Sequence, residues 1–216
     1  MGTLNNGPFG HLHGRVGNLV SYTLKGKNVT RIIGKTSKAP TKGKLAQYQR
    51  MRVINKFQKP MLPYLNLGFA MEAEGTTSNA YNKAVSYNKT HALQGTYPDI
   101  SMDYSKALVS KGLLPPARSA AYTKIADGLE ITWQLPADQE SRFLNNRAMI
   151  VVFFPEGTDH PDIPDAVMEL SGARRQECRD FISLTAEELD KPFEVYLAFI
   201  AADRFNVSDS VWLEEA

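Results

Sequence analysis

The residues that stand out for their chemistry are cations. Arg15, Lys25, Lys27, Arg31, Lys35, Lys38, Lys42, Lys44, Arg50, Arg52, Lys56 and Lys59 all fall before the first acid, Glu72. Tyr22 and Tyr48 are interleaved with them. Clustered cations with aromatic neighbours suit neutralisation of phosphates combined with stacking of bases. Arg15, Lys25, Lys27, Arg31, Lys42, Lys44, Arg50, Arg52, Lys56 and Lys59 are therefore the candidate polyanion-binding residues. Two other outcomes stand beside this one: pairing with an acidic part of the same or a neighbouring chain, and no role at all. Tyr22 shares a strand face with Val20 and Leu24, which suits a core position better than a stacking platform.

Other constellations are thinner. His11 and His13 have the spacing that puts two imidazoles on one side of a strand, but zinc wants three or four ligands. His91 and His160 lie far away in sequence. Asp159, Asp162 and Asp165, with Glu156, form an acidic loop without the alternation or the glycine of a calcium loop. Gly26-Lys27 is followed by Asn28, so the phosphate-loop pattern is broken. Neither Gly-x-Gly-x-x-Gly nor Gly-x-Ser-x-Gly occurs. Cys178 has no local histidine and reads as a structural, at least half-buried thiol. These readings predict no catalytic residues, no metal and no cofactor.

Composition sets the frame for these side chains. The 216 residues are 43% hydrophobic and 22% charged, which fits a globular chain rather than a disordered one. No apolar run is long enough to span a bilayer, and the first residues lack a leader's basic and apolar regions. A single cysteine excludes an intrachain disulfide. The expected location is the cytoplasm. The net charge of +2 hides a gradient: +12 over residues 1–71, zero over 72–117 and −10 over 118–216. Such asymmetry suggests an anionic partner for one end, or an end-to-end contact.

The elements that must position the cations follow from periodicity. Residues 1–18 carry Gly2, Gly7, Gly10, Gly14 and Gly17 and read as an arm or loop. Val20–Leu24 and Val29–Ile33 alternate around a turn-like Lys25–Asn28, which predicts a β-hairpin. A helix is expected over 41–59, with Ile54, Phe57 and Met61 on one face and Arg52, Lys56 and Lys59 on the opposite one. Pro60 and Pro63 end or kink it. A second helix is expected over 78–93. Ile100–Tyr104 and Ala107–Val109 read as short strands. Leu113-Leu-Pro-Pro-Ala117 looks like a domain boundary. Beyond it, strands are expected at 129–135, 148–154, 167–170, 178–184, 193–200 and 207–213, with Trp133 as a core tryptophan. This regularity predicts a fibronectin type III or immunoglobulin-like β-sandwich. The alternative is a small α+β domain, because Thr185–Leu189 could open a helical turn.

Several motifs carry a resemblance. Gly14–Tyr22, Lys25–Arg31, Pro40-Thr41 with Leu45–Arg50, Ala84–Asn88, Gly95–Pro98, Asp103–Lys106, Val109–Gly112 and Asn206–Val211 together resemble a Bacteroidota family defined only as a domain of unknown function. The likeness runs along nearly the whole chain and implies a family, not an activity. His11 and His13 stand where small residues are more usual, and Arg15 where lysine is common. The N-terminal module is also similar, more loosely, to modules of phage and prophage-like proteins, which implies an assembly role.

The expected whole is an α+β protein. Residues 1–116 form a basic module with a hairpin and helices, and residues 117–216 form an acidic β-sandwich. The expected function is a non-enzymatic interaction or assembly protein whose basic module contacts a polyanion or an acidic protein surface. Sequence-nonspecific nucleic-acid binding and a phage-like structural role are the alternatives. Nucleic acid, an acidic protein surface and a second copy are the possible partners; a membrane is not.

Overall fold

A computed structural model describes residues 2–5, 10–138, 140–158 and 163–216. Gly7 of the glycine-rich arm and Asp159, His160 and Asp162 of the acidic loop lie outside the described residues. The chain mixes helices and sheets and forms two compact units, 1–41 and 42–216.

The first unit is an antiparallel meander of four strands: β1 (Thr3–Asn5), β2 (His11–Val16), β3 (Leu19–Leu24) and β4 (Lys27–Ile32). The hairpin predicted around residues 25–28 is β3–β4. Its two-residue turn puts Lys25 and Gly26 at φ of 46° and 76°, the paired left-handed geometry that matches strand twist. The arm is not loop throughout, because it contributes β1 and β2. The sheet is thin: Ser21 is buried, while Leu4, Val16, Leu24 and Ile32 are exposed.

The second unit is layered. Helices α1 (Lys42–Gln58), α2 (Leu62–Gly68), α3 (Ala70–Ala73) and α4 (Ala80–His91) come first, then the short pair β5 (Leu93–Gln94) and β6 (Ser101–Met102). Seven strands follow: β7 (Arg118–Ile125), β8 (Gly128–Gln134), β9 (Arg147–Phe154), β10 (Asp165–Glu169), β11 (Arg179–Ser183), β12 (Glu194–Ile200) and β13 (Val211–Glu215). The helical turn that Thr185–Leu189 offers in the sequence is present as α5 (Ala186–Leu189), before β12, and a Thr185–Glu188 capping box closes its start. The seven strands form one continuous sheet in the order β10-β9-β12-β13-β7-β8-β11, rather than two separate sheets. Every neighbouring pair is antiparallel except β13–β7, which is parallel.

Two cores explain the apolar strands. Met149, Val151 and Phe153 of β9, with Tyr196, Ala198 and Ile200 of β12, pack with Phe57, Met61, Tyr64 and Leu65 of the helical layer. The alternate residues, Ala148, Ile150, Val152 and Phe154 with Val195, Leu197 and Phe199, pack with Leu129, Ile131 and Trp133 of β8 and Ile182 of β11. Both faces of β9 and β12 are therefore covered, so alternation disappears and the runs read as continuously apolar. Phe57 sits at the helix–sheet junction, edge-on to Phe153 at 5.0 Å and to Tyr196 at 6.0 Å.

The intervening segment differs from expectation. Ala107 and Val109 are buried but form no strand. Their neighbourhood is satisfied by side chains instead: Leu108 N donates to Asn88 Oδ1 at 2.9 Å, Asn88 Nδ2 donates to the Leu108 carbonyl at 2.8 Å, and Val109 N donates to Ser210 Oγ at 3.0 Å. The same serine-rich stretch shortens the last strand, which starts at Val211 instead of Val207. Leu113–Ala117, where the sequence suggests a boundary, lies inside the second unit.

Candidate functional site

The cations fall into two groups, one in each unit. In the first unit, Arg15 pairs with Val20 and Val20 with Arg31, so the two guanidinium groups flank one apolar residue on one face of the sheet. Lys27, two steps further along the alternation of β4, shares that face with Tyr22 and Val29. Lys25 stands in the β3–β4 turn. All four cations are exposed, and Tyr22 is half-buried.

The second group is on α1. Its sequence is rich in good helix formers, and Pro60 follows its end. Ile54 and Phe57 bury one stripe. The opposite stripe carries Tyr48, Arg52, Asn55, Lys56 and Lys59, spaced at three and four residues. With Met51 these residues line an open groove of about 470 Å³. Tyr48 is 53% exposed, enough ring to stack on. Lys44 Nζ lies 5.7 Å from the Tyr48 ring centroid, one turn earlier. Asn55 Oδ1 accepts a hydrogen bond from the Tyr81 hydroxyl at 2.8 Å, which ties the groove to α4.

The electrostatics are one-sided. The first turn of α1 has no acid, although carboxylates are favoured there and the cations Lys42 and Lys44 are not. Among the described residues, Arg52, Lys56 and Lys59 form no ion pair. Such a stripe carries positive charge that no carboxylate pairs and is suited to a chain of anionic groups.

Arg50 departs from the group. It is half-buried, and helical spacing places it on the Ile54–Phe57 side of α1. Lys42 is exposed at the helix start, away from the groove lining. Asn55 and Met51 were not singled out from the sequence. Their spacing from Tyr48 and Arg52 was the available signal.

The remaining candidates stay apart. His11 and His13 are exposed on β2. Among the described residues, no three His, Cys, Asp or Glu side chains converge on a point. Cys178 is half-buried, with a φ of 58°, at the turn before β11. No helix among the described residues is long and apolar enough to cross a membrane.

No curated protein and no solved structure matches the chain. A family model described as a family of unknown function (DUF6266) matches residues 11–214, spanning both units and every element from β2 through most of β13. With nearly its whole length matched, the chain belongs to that family.

Proposed function

We propose that this protein is a non-enzymatic interaction or assembly protein whose basic residues within 1–116 contact a polyanion or an acidic protein surface. The observation that carries the reading is the α1 groove. Arg52, Lys56 and Lys59 line it beside an exposed tyrosine, with no acid on the helix and none anywhere before Glu72. Phosphate contacts of this kind position a nucleic acid without reading its bases, so binding is indifferent to sequence.

The acidic residues 117–216 act as the scaffold. We read their seven strands as a variant of the fibronectin type III or immunoglobulin-like sandwich. The strand order supports this, with β7-β8-β11 on one side of the Trp133 core and β10-β9-β12-β13 on the other. A phage-like structural role is the alternative setting for such assembly.

The test is fluorescence anisotropy of the full chain against labelled single-stranded DNA, duplex DNA, RNA and polyglutamate, each over a salt series. We expect micromolar, salt-sensitive binding to at least one polymer, lost in an R52E/K56E/K59E variant that melts like wild type. A nucleic acid as the bound polymer identifies the partner class, and polyglutamate alone points to an acidic protein surface. Absence of binding to all four at low salt overturns the proposal.

A further inference from the structure

Residues 118–216 hold nine bases among nineteen acids, and three of those bases meet. Arg147, Arg174 and Arg204 line one cleft of about 510 Å³ in the second unit, together with Asn145, Ser171 and Ile200. They are distant in sequence and are brought together by backbone pairing. Ala148 N donates to the Ala173 carbonyl at 2.8 Å and Gly172 N to the Ala148 carbonyl at 2.9 Å. With Arg175 N donating to the Asn146 carbonyl at 2.8 Å, the first of these bonds makes Arg147 and Arg174 direct cross-strand partners. On its other side Arg147 pairs with Ile200, which in turn pairs with Val207 and closes the loop bearing Arg204.

The three guanidinium groups are not held by carboxylates among the described residues. The adjacent acids keep their charge but are held by backbone N–H groups rather than by the guanidinium forks. Asp203 accepts from the backbone N–H groups of Phe205 and Asn206 at 2.9 and 3.0 Å, and these bonds hold its carboxyl below the ordinary range. Glu169 accepts from Ser171 N at 3.2 Å, and Glu177 from Arg174 N at 3.3 Å. Arg204 has a φ of 53°, where glycine or asparagine would be less strained. A long cation therefore stands at a backbone position that does not favour it.

We propose that this cleft binds a small polyvalent oxyanion, a phosphate ester or a di- or tricarboxylate, gripped by the guanidinium forks of Arg147, Arg174 and Arg204. Each planar fork matches two oxygens of such a group, and three forks suit an anion with more than one charge. The volume lies in the range of small-molecule sites, and no aromatic lines it, so recognition rests on charge rather than on stacking.

Pyrophosphate and citrate are the probes, titrated calorimetrically into the full-length protein at low ionic strength, with sodium chloride of matched ionic strength as control. Saturable binding of either is the expected result, and the preferred anion names the ligand class. R174Q and R204G are expected to weaken it at least tenfold. R204G should melt no lower than wild type, because glycine accepts the left-handed backbone. R52E/K56E/K59E is expected to bind the probe as wild type does. The proposal is overturned if neither anion saturates, if folded R174Q and R204G bind unchanged, or if only the α1 variant loses binding. Arg147 is left intact in this design, because its Nη1 donates to the Gly172 carbonyl at 3.0 Å and supports the ladder.

Discussion

Gln58 is wholly buried on α1, and neither its Nε2 nor its Oε1 has a hydrogen-bond partner among the described residues. A buried amide left this way costs about 1–3 kcal/mol. Q58L should therefore raise stability by about 1 kcal/mol, read as a higher urea midpoint at unchanged slope. Tyr64 presents the opposite case. It is fully buried, and its hydroxyl donates to the Met149 carbonyl at 3.0 Å. Burial drives its pKa far above the ordinary 10.0. Below pH 10 the phenol is neutral in both states. Above it, the unfolded chain releases a proton that folded Tyr64 retains, so stability falls as pH rises. Arg175 acts in the opposite direction, since burial pulls it down to about 10. Y64F isolates the tyrosine. It should cost about 1 kcal/mol at neutral pH and flatten the alkaline decline by about 1.4 kcal/mol per pH unit. An unchanged alkaline slope would contradict the burial argument.

Between elements, close approach is bought by small residues. A Cβ on Gly112 would stand 2.0 Å from the Val207 carbonyl oxygen, and one on Gly68 would stand 2.5 Å from the Val109 carbonyl oxygen. Both obstacles are backbone, so they cannot turn aside. G112A is expected to lose about 1–3 kcal/mol, measured by chemical denaturation, whereas G43A, in open space at the exposed start of α1, should be neutral or mildly stabilising. These contacts also show why part of the fold was not legible. The long elements α1, α4 and β8 were readable from periodicity, and β9 and β12 from their apolar runs. α2 was hidden because Pro60 and Pro63 looked like stops, whereas Pro63 sits in the first turn of a new helix, where a missing N–H is tolerated. β7 was missed because its residues are mostly exposed or half-buried, and a register shift after Arg118 breaks their alternation. The 107–109 segment read as a strand because it is apolar, but its buried N–H groups at Leu108 and Val109 are met by Asn88 and Ser210, which lie far away in sequence.

At the scale of the molecule, charge is the property the sequence displayed most openly, and only one part of it became a defined surface. The spacing of Arg52, Lys56 and Lys59 marks a helix face in the sequence itself, and that face lines the groove. Arg50 could not be separated from them by composition, because its placement depends on which side of α1 meets the core. Arg147, Arg174 and Arg204 carried no local signal, since only strand pairing brings them together. The account rests most heavily on phosphate-like neutralisation by α1. The direct measurement is the slope of log binding constant against log salt, for wild type and for R52Q/K56Q/K59Q, on a single-stranded or duplex nucleic acid. Each lost contact should reduce the slope by about 0.7–0.9, so the triple variant should be flatter by about 2–3. A wild-type slope near zero, or an unchanged slope in the variant, would contradict the claim that this groove is where the protein meets its anionic partner.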